Sequence, residues 1–356
     1  MHLFNAVSLT ALVVFDLAIA AASCTSGQWV NLAPIPTKPR QEHGTVAIGN
    51  STIAILGGIV PVEDGIQTTD ILQLYDIVSN SWRTASPAPY PVNHPNLVVV
   101  DNTLYLLGGL VDGPLSPGMI MNWVASTSSH AYDLATDTWT ELAPMPNGTE
   151  RGSAIMGVQD EMIYLAGGMT VLHADYQDAV NIVTAFNTTL GAWQRLGAEA
   201  AELPESRQHG SGAVIGDTFY VAGGRHFGKE NTRDTVFELD LADQGAGWRT
   251  SSGHMSVPRG GLSGSAVGSK LYTFGGEGSP TTHTGLFNQS EVFDTMSQRW
   301  ESLAPMAVPR HGTQAAALGG WIYIPGGGLQ QDGKNVTIDG VTAINRPTSH
   351  FDAYCP

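Results

Sequence analysis

Charge is scarce in this chain of 356 residues: Lys, Arg, Asp and Glu together make up 13%, and only 16 side chains are basic. So little charge, beside 42 Gly and 20 Pro, excludes a coiled coil or a protein of long helices. The 16 basic side chains face 32 acidic ones, and the net charge of −16 opposes phosphate binding, so nucleic acid is not an expected partner. Beyond residue 22 no apolar run approaches the roughly 20 residues of a membrane span, so no membrane partner is expected either. No Gly-x-Ser-x-Gly elbow, phosphate loop or His-Glu-x-x-His is found. Cysteine occurs only as Cys24 and Cys355. What is plentiful is apolar surface, 42% of residues, enough for a large core and incompatible with wholesale disorder. Length alone suggests two domains, although all-β chains of this size often form one.

Residues 1–23 read as a secretory signal peptide, with an apolar stretch centred on Ala11 to Phe15 and small residues before Cys24. Asp16 interrupts that stretch and no Lys or Arg precedes it. The alternatives are a disordered N-terminus or a bacterial lipoprotein leader ending at Cys24, for which Ala21 is a poor match. Five N-glycosylation triplets begin at Asn50, Asn147, Asn187, Asn288 and Asn335, and with a leader they favour a eukaryotic secreted glycoprotein.

Internal repetition decides the architecture. Gly-Gly pairs fall at Gly57, Gly108, Gly167, Gly223, Gly275 and Gly326, in steps of 51 to 59 residues. Each closes a short apolar segment: Thr52–Leu56, Thr103–Leu107, Met162–Ala166, Thr218–Ala222, Lys270–Phe274 and Trp321–Pro325. Downstream of each pair comes an aromatic or apolar residue with Asp or Asn, as in Tyr75-Asp76, Tyr132-Asp133 and Phe293-Asp294, and then Trp82, Trp139, Trp193, Trp248 or Trp300. The sixth unit has Phe351-Asp352 but no following Trp, while Trp29-Val-Asn-Leu-Ala-Pro at the other end matches Trp139-Thr-Glu-Leu-Ala-Pro. The N-terminus therefore supplies the last strand of the sixth unit.

These repeats resemble the kelch family, whose units of about 50 residues form four-stranded blades of a β-propeller. The resemblance implies an all-β, six-bladed propeller in one domain, residues 24–356, closed by the N-terminal strand. The expected blades are 43–86, 94–143, 152–197, 209–251, 260–304, and 311–355 joined by 24–33. Strands a to d run outward from the axis, and small residues in the a strands, such as Gly210-Ser-Gly-Ala, fit the crowding there. Ring closure brings Cys24 and Cys355 into the sixth blade, where an oxidising compartment would join them.

In such a ring the d–a and b–c connections share one face, and kelch propellers generally bind there. The long b–c segments, 59–70, 110–130, 169–181, 225–234, 277–290 and 328–349, make it the candidate site. Arg40, Arg151, Arg207, Arg259 and Arg310 recur just before strand a, and Arg225, Arg233 and Arg346 lie in b–c segments. Eight of twelve Arg thus point to one face, which predicts a locally basic centre. His43, His94, His209 and His311 follow near the Arg position, either anchoring the d–a turn or orienting an oxygen-rich ligand. Met119, Ile120, Met121, Trp123, Tyr176, Phe227 and Phe287 are the candidate apolar walls, or else loop packing.

Kelch-like copper-radical oxidases need a Cys cross-linked to a Tyr, which two closure cysteines cannot supply. Plant specifier proteins of this fold bind iron through Glu, Asp and His at four-residue intervals, whereas this chain has Glu230, Asp234 and Glu238. No metal and no cofactor are therefore expected, and no obligate protein partner is indicated. Among secreted single-propeller relatives, the fungal hetero-Diels–Alderases of tropolone-sesquiterpenoid biosynthesis need only an apolar cavity and donors for a keto oxygen. The resemblance implies a secreted binder of a small organic molecule, most concretely such a pericyclase. A non-catalytic protein- or glycan-binding propeller and a sugar mutarotase like the bacterial sialic-acid mutarotases are the alternatives.

Overall fold

A computed structural model describes residues 24–356 apart from 64, 118, 120, 175, 332, 339 and 344; the expected leader and Ile120 lie outside the described residues. Among these residues, six four-stranded antiparallel sheets repeat one order, each strand pairing with the next in sequence. In the first, Gly44–Ile48, Thr52–Leu56, Leu72–Asp76 and Ser81–Thr84 are strands a to d. In the sixth, Ala316–Leu318, Trp321–Pro325 and Phe351–Tyr354 are completed by Trp29–Asn31 from the other end of the chain, Trp29 opposite Tyr354. The a strands touch in cyclic order, the sixth against the first. Cys24 and Cys355 are disulfide-bonded with Cα atoms 5.5 Å apart, which ties the two termini together.

The core lies between sheets rather than within them. One cluster joins Leu56, Leu72 and Leu74 of the first blade to Leu97, Leu104 and Leu106 of the second; another joins Tyr323 and Phe351 of the sixth to Ile53 and Tyr75 of the first. A single blade therefore cannot bury its own apolar faces, and stability belongs to the ring. The blade Trp residues reinforce the same seams. Trp82 Nε1 donates to Ala33 O at 2.8 Å, and Trp139, Trp193, Trp248 and Trp29 make the corresponding bond to the preceding blade.

The Gly-Gly pairs have a specific task. The amide of each second glycine donates to the carbonyl at the Arg position of the following blade, at 2.7–3.0 Å, from Gly58 to Val92 round to Gly327 and Arg40. The first glycine must permit that approach: at Gly167, with φ +63°, a Cβ would collide with the Arg207 carbonyl.

The recurrent Arg residues depart from their expected role. Arg40, Arg151, Arg207, Arg259 and Arg310 are fully buried and bond inside their own blades instead of facing an opening. Arg151 donates to the carbonyls of Gly167 and Leu165 and to Thr184 Oγ1, at 2.6, 2.9 and 2.9 Å. Arg310 reaches the carbonyls of Ile324, Gly326 and His350 and pairs with Asp352; Arg259 pairs with Glu291, Arg40 with Gln73, and Arg207 with Glu205. Arg151, Arg259 and Arg310 fasten the end of strand b to strand c, using donors that the carbonyls at those strand ends require, whereas Arg40 and Arg207 bond at the start of strand c. The second blade, with Val92 at the Arg position, substitutes the Tyr90 hydroxyl, which donates to Ser128 O at 3.2 Å. Arg225 is likewise buried against Glu277, and Arg233 forks onto Glu205. The expected basic centre is thus buried in place: Arg207, Arg225, Arg233, Arg259 and Arg310 each meet a carboxylate, whereas Arg40 and Arg151 bond to uncharged oxygens.

Two outcomes follow from these constraints. Arg310→Ala leaves the buried Asp352 with only the His350 imidazole at 3.0 Å and the strand-end carbonyls without their donor, and should cost about 3 kcal/mol in urea unfolding, whereas the exposed Arg299→Ala should stay within about 0.5 kcal/mol; equal effects would remove the clamp from the account. Cys24→Ser opens the covalent closure and should lower unfolding free energy by roughly 2–4 kcal/mol, read from denaturant midpoints with unchanged far-UV circular dichroism.

Candidate functional site

Two residues after the Arg position, every blade places a residue in the left-handed region: Glu42, His94, Ser153, His209, Gly261 and Gly312, with φ of 56, 48, 53, 54, 64 and 60°. Their amides join them in a closed circlet of hydrogen bonds about the axis, five to backbone carbonyls and one to a hydroxyl. Glu42 N donates to Gly312 O at 2.5 Å, His94 N to Glu42 O at 2.9 Å, and Ser153 N to His94 O at 2.9 Å. His209 N donates to the Ser153 hydroxyl at 3.1 Å, Gly261 N to His209 O at 3.0 Å, and Gly312 N to Gly261 O at 3.1 Å. Left-handed backbone costs non-glycine residues on the order of 1–3 kcal/mol each, and such outliers gather where function requires them.

Three side chains of this ring meet on the axis. His94 Nε2 lies 3.0 Å from His209 Nε2 and 3.1 Å from Glu42 Oε2, and His209 Nε2 lies 3.7 Å from the same oxygen. All three residues are buried. Of the four expected His, only His94 and His209 occupy the left-handed position. His43, one residue later, turns into the first blade beside Thr45, while His311, one residue earlier, stands 3.3 Å from Glu277.

Remote groups fix the imidazole tautomers. The Thr68 hydroxyl donates to Asp112 Oδ1 at 2.7 Å and so accepts from Asn93 Nδ2 at 2.9 Å, which turns Asn93 Oδ1 toward His94 Nδ1 at 2.7 Å. On the other side Arg225 donates to Gln177 Oε1 at 3.0 Å, Gln208 Nε2 donates to the same oxygen at 3.2 Å, and Gln208 Oε1 faces His209 Nδ1. Both Nδ1 atoms therefore carry a proton, and the two Nε2 atoms, bare whenever the imidazoles are neutral, point at Glu42 and at each other.

Burial pushes the imidazoles down, His209 to about 4 with Arg225 adding to the effect, and His43 to about 3 with Arg40 adding to it. Burial alone would raise the Glu42 carboxyl, but positive charge on His94, protons donated by His209 and His94, and positive charge on His209 outweigh it and hold the group well below its usual range whenever those imidazoles are protonated. Glu277 is held at about 2, because His311 and Arg225 overcome the same penalty.

On the channel side of the circlet a shaft of about 380 Å³ is lined by Thr45, Val46, Val99, Gly157, Ser265 and their neighbours, none of them ionisable. On the loop side the b–c segments are more ordered than loops. Ile59–Val62 pairs with Gly65–Thr68, Val336–Ile338 pairs with Val341–Ala343, and Leu110–Asp112, Asn122–Ala125, Val171–His173 and Tyr176–Gln177 form a sheet that bridges the second and third blades. Beside that sheet a cavity of about 70 Å³ is walled by Ile59, Met121, Trp123 and Leu172, with His173, Gln177, Lys229 and Asn345 as its polar members. The Trp123 ring lies 5.8 Å from that of His94, and Gln177 belongs to the chain that orients His209. The cavity is thus built directly on the axial cluster.

Of the expected walls, Met121 and Trp123 line this cavity, and Tyr176 and Phe227 meet edge to face at 5.5 Å on its rim, 41% and 43% exposed. Phe287 is in a separate groove of about 650 Å³ that also includes Asn288. Glu42, Gln177, Gln208, Lys229 and Glu277 were not anticipated. Glu42 was legible in principle, because it occupies the same repeat position as His94 and His209. Of the glycosylation triplets, Asn50, Asn147, Asn288 and Asn335 are exposed, and Asn187 is half-buried at the end of its strand.

Comparison with known proteins agrees with this architecture. The KLHDC2/KLHL20/DRC7 Kelch-repeats domain matches residues 11–224 and 152–350. Kelch-like protein terF of Aspergillus terreus is 36% identical over 345 residues, which cover 92% of this chain and 72% of that protein. Kelch-like protein 25 of Xenopus tropicalis is 26% identical over 82% of this chain, which spans only 45% of that longer protein. The solved structure of YjhT superposes with a TM-score of 0.66 at 16% identity, covering 88% of this chain and 99% of the other, which bears on the fold alone. With its repeats, its ring and a terF-like sequence over nearly its whole length, the chain belongs to the kelch-repeat family.

Proposed function

We propose that this propeller binds a small, largely apolar organic molecule on its b–c face and, most concretely, that it catalyses a cofactor-independent hetero-Diels–Alder cycloaddition between a quinone-methide-like heterodiene and an alkene. The observation that carries the reading is the cavity beside the bridging sheet, which at about 70 Å³ takes only an anchoring group of such a molecule, its apolar wall of Met121, Trp123 and Leu172 interrupted by Lys229, His173 and Gln177. Exposed apolar side chains extend it. Tyr176 and Phe227, which touch each other and flank the cavity residues Gln177 and Lys229 in sequence, are 41% and 43% exposed and offer an apolar rim for the rest of an organic substrate; Val62 and Leu115 are exposed in the two preceding b–c segments.

The reaction makes few demands. Two σ bonds form as the heterodiene and the alkene combine, and no proton or leaving group departs. The protein has only to align two reactants and polarise the carbonyl end of the diene. Lys229 Nζ is the donor best suited to that oxygen, with Trp123 as the surface against which the diene packs. Secretion is part of the reading and is supported by the disulfide and the leader-like N-terminus. Glycans at Asn147, Asn288 and Asn335 would crowd the b–c face against a broad protein partner yet still admit a small molecule.

The test is to incubate the purified protein with a tropolone-type quinone methide and a cyclic sesquiterpene alkene and to follow the diastereomer ratio of the adduct by chromatography. The wild type should accelerate one diastereomer. Lys229→Met and Trp123→Ala should each reduce that acceleration about tenfold or more while circular dichroism is unchanged. A ratio equal to that without protein would refute the catalytic reading, and if the part of the tryptophan fluorescence that Trp123→Ala removes also fails to respond to either reactant, the binding reading falls with it.

A further inference from the structure

We propose that Glu42, His94 and His209 form a binding site for one divalent transition metal ion of the zinc class, seated on the axis and clamping the first, second and fourth blades together. The three atoms that converge are all acceptors. Asp112, through Thr68 and Asn93, puts the proton of His94 on Nδ1; Arg225, through Gln177 and Gln208, does the same for His209. When both imidazoles are neutral, two Nε2 lone pairs 3.0 Å apart and a carboxylate oxygen 3.1 and 3.7 Å from them repel, and a positive charge, a proton or a metal ion, must lie between them.

The geometry suits a metal ion. Ligands at 2.0–2.2 Å around a tetrahedral centre lie about 3.3 Å from one another, and the three separations bracket that value. Imidazoles whose far nitrogen donates to an amide oxygen are the arrangement in which histidine ligates metals. Here both amides are in turn held by a buried or half-buried network, so the ligands are set before any ion arrives.

Three protein ligands leave one position open. A cavity of about 40 Å³ adjoins Glu42, His94, Ser153 and His209 and shares Gly210, Leu262 and Gln314 with the neutral shaft. It has room for about one water molecule, and the shaft supplies the route of entry. The open position therefore faces the shaft, on the opposite side of the circlet from the apolar cavity, so this site stands independently of the cycloaddition reading. Motif spacing could not disclose it, because the ligands come from three separate blades.

The experiment uses the full secreted chain stripped with a chelator and titrated with Zn²⁺ by calorimetry and with Co²⁺ by visible absorption. One equivalent should bind with a dissociation constant at or below about 1 μM, Co²⁺ should give the intense bands of a four- or five-coordinate site, and Zn²⁺ should raise the melting temperature. His209→Asn should weaken binding at least 100-fold, and Gln208→Met, which removes only the orienting amide, about 10- to 100-fold. Absence of stoichiometric binding by the wild type would overturn the proposal and leave a shared proton between the imidazoles. Binding unchanged in a folded His94→Gln, His209→Asn double variant would overturn it equally. Should that variant fail to fold, the wild-type Co²⁺ spectrum decides.

Discussion

The circlet of hydrogen bonds at the axis is the constraint on which the other features depend. Each blade contributes one left-handed residue whose amide reaches the carbonyl, or in one case the hydroxyl, of the preceding blade's residue, and the chain of bonds returns to its start. A bond can close such a ring only if six units subtend the full circle, so the circlet fixes the angle between blades as well as their contact. The glycine amides form a second closed set of bonds just outside it, and the indoles mark the seams further from the axis. Because the core clusters also straddle blades, folding must assemble the ring as a whole.

Ring closure explains where the polar side chains went. A strand end that turns back at the axis exposes carbonyls to a region without water, and those carbonyls need donors. Arg is the side chain with most donors to offer, which is why it recurs in five of six blades and why a tyrosine hydroxyl stands in where it is missing. The carboxylates of Glu291 and Asp352 then balance two of the guanidinium charges within the same blades. In this structure such residues hold the strand ends rather than line an opening.

Much of the fold was legible in the sequence because its physics is periodic. The Gly-Gly pairs, the blade Trp residues and the displaced Trp29 strand each repeat a local requirement six times, and a repeated requirement survives as a repeated residue. The site was less legible for the opposite reason. Arg207 and Arg310 recur at the mouth of the axis in sequence, but recurrence marks a task common to all blades, and a binding site on a single axis has no sixfold task. The informative positions are those where one repeat position holds different residues: Glu42, His94, Ser153, His209, Gly261 and Gly312 in one set, and Ile59, Leu110, Met169, Arg225, Glu277 and Gly328, paired beside them, in the next. The b–c segments were expected as loops because their strands are short and their partners lie in other segments, as Asn122–Ala125 against Val171–His173 illustrates.

That second set divides the face in two. Ile59, Leu110 and Met169 make one half apolar and join Trp123 and Leu172 in a cluster, whereas Arg225 and Glu277 make the other half charged but self-neutralised. A net charge of −16 therefore does not meet a basic funnel at the axis, and long-range attraction is not how a ligand would be drawn there. Recognition on such a face must come from apolar area on one side and a few fixed donors at the boundary. The boundary runs through Gln177 and Lys229, where the apolar cavity and the network orienting His209 share a residue. Anything bound in that cavity is consequently one hydrogen-bonded relay away from the axial imidazoles, and the rigidity of the circlet is what keeps that relay in register.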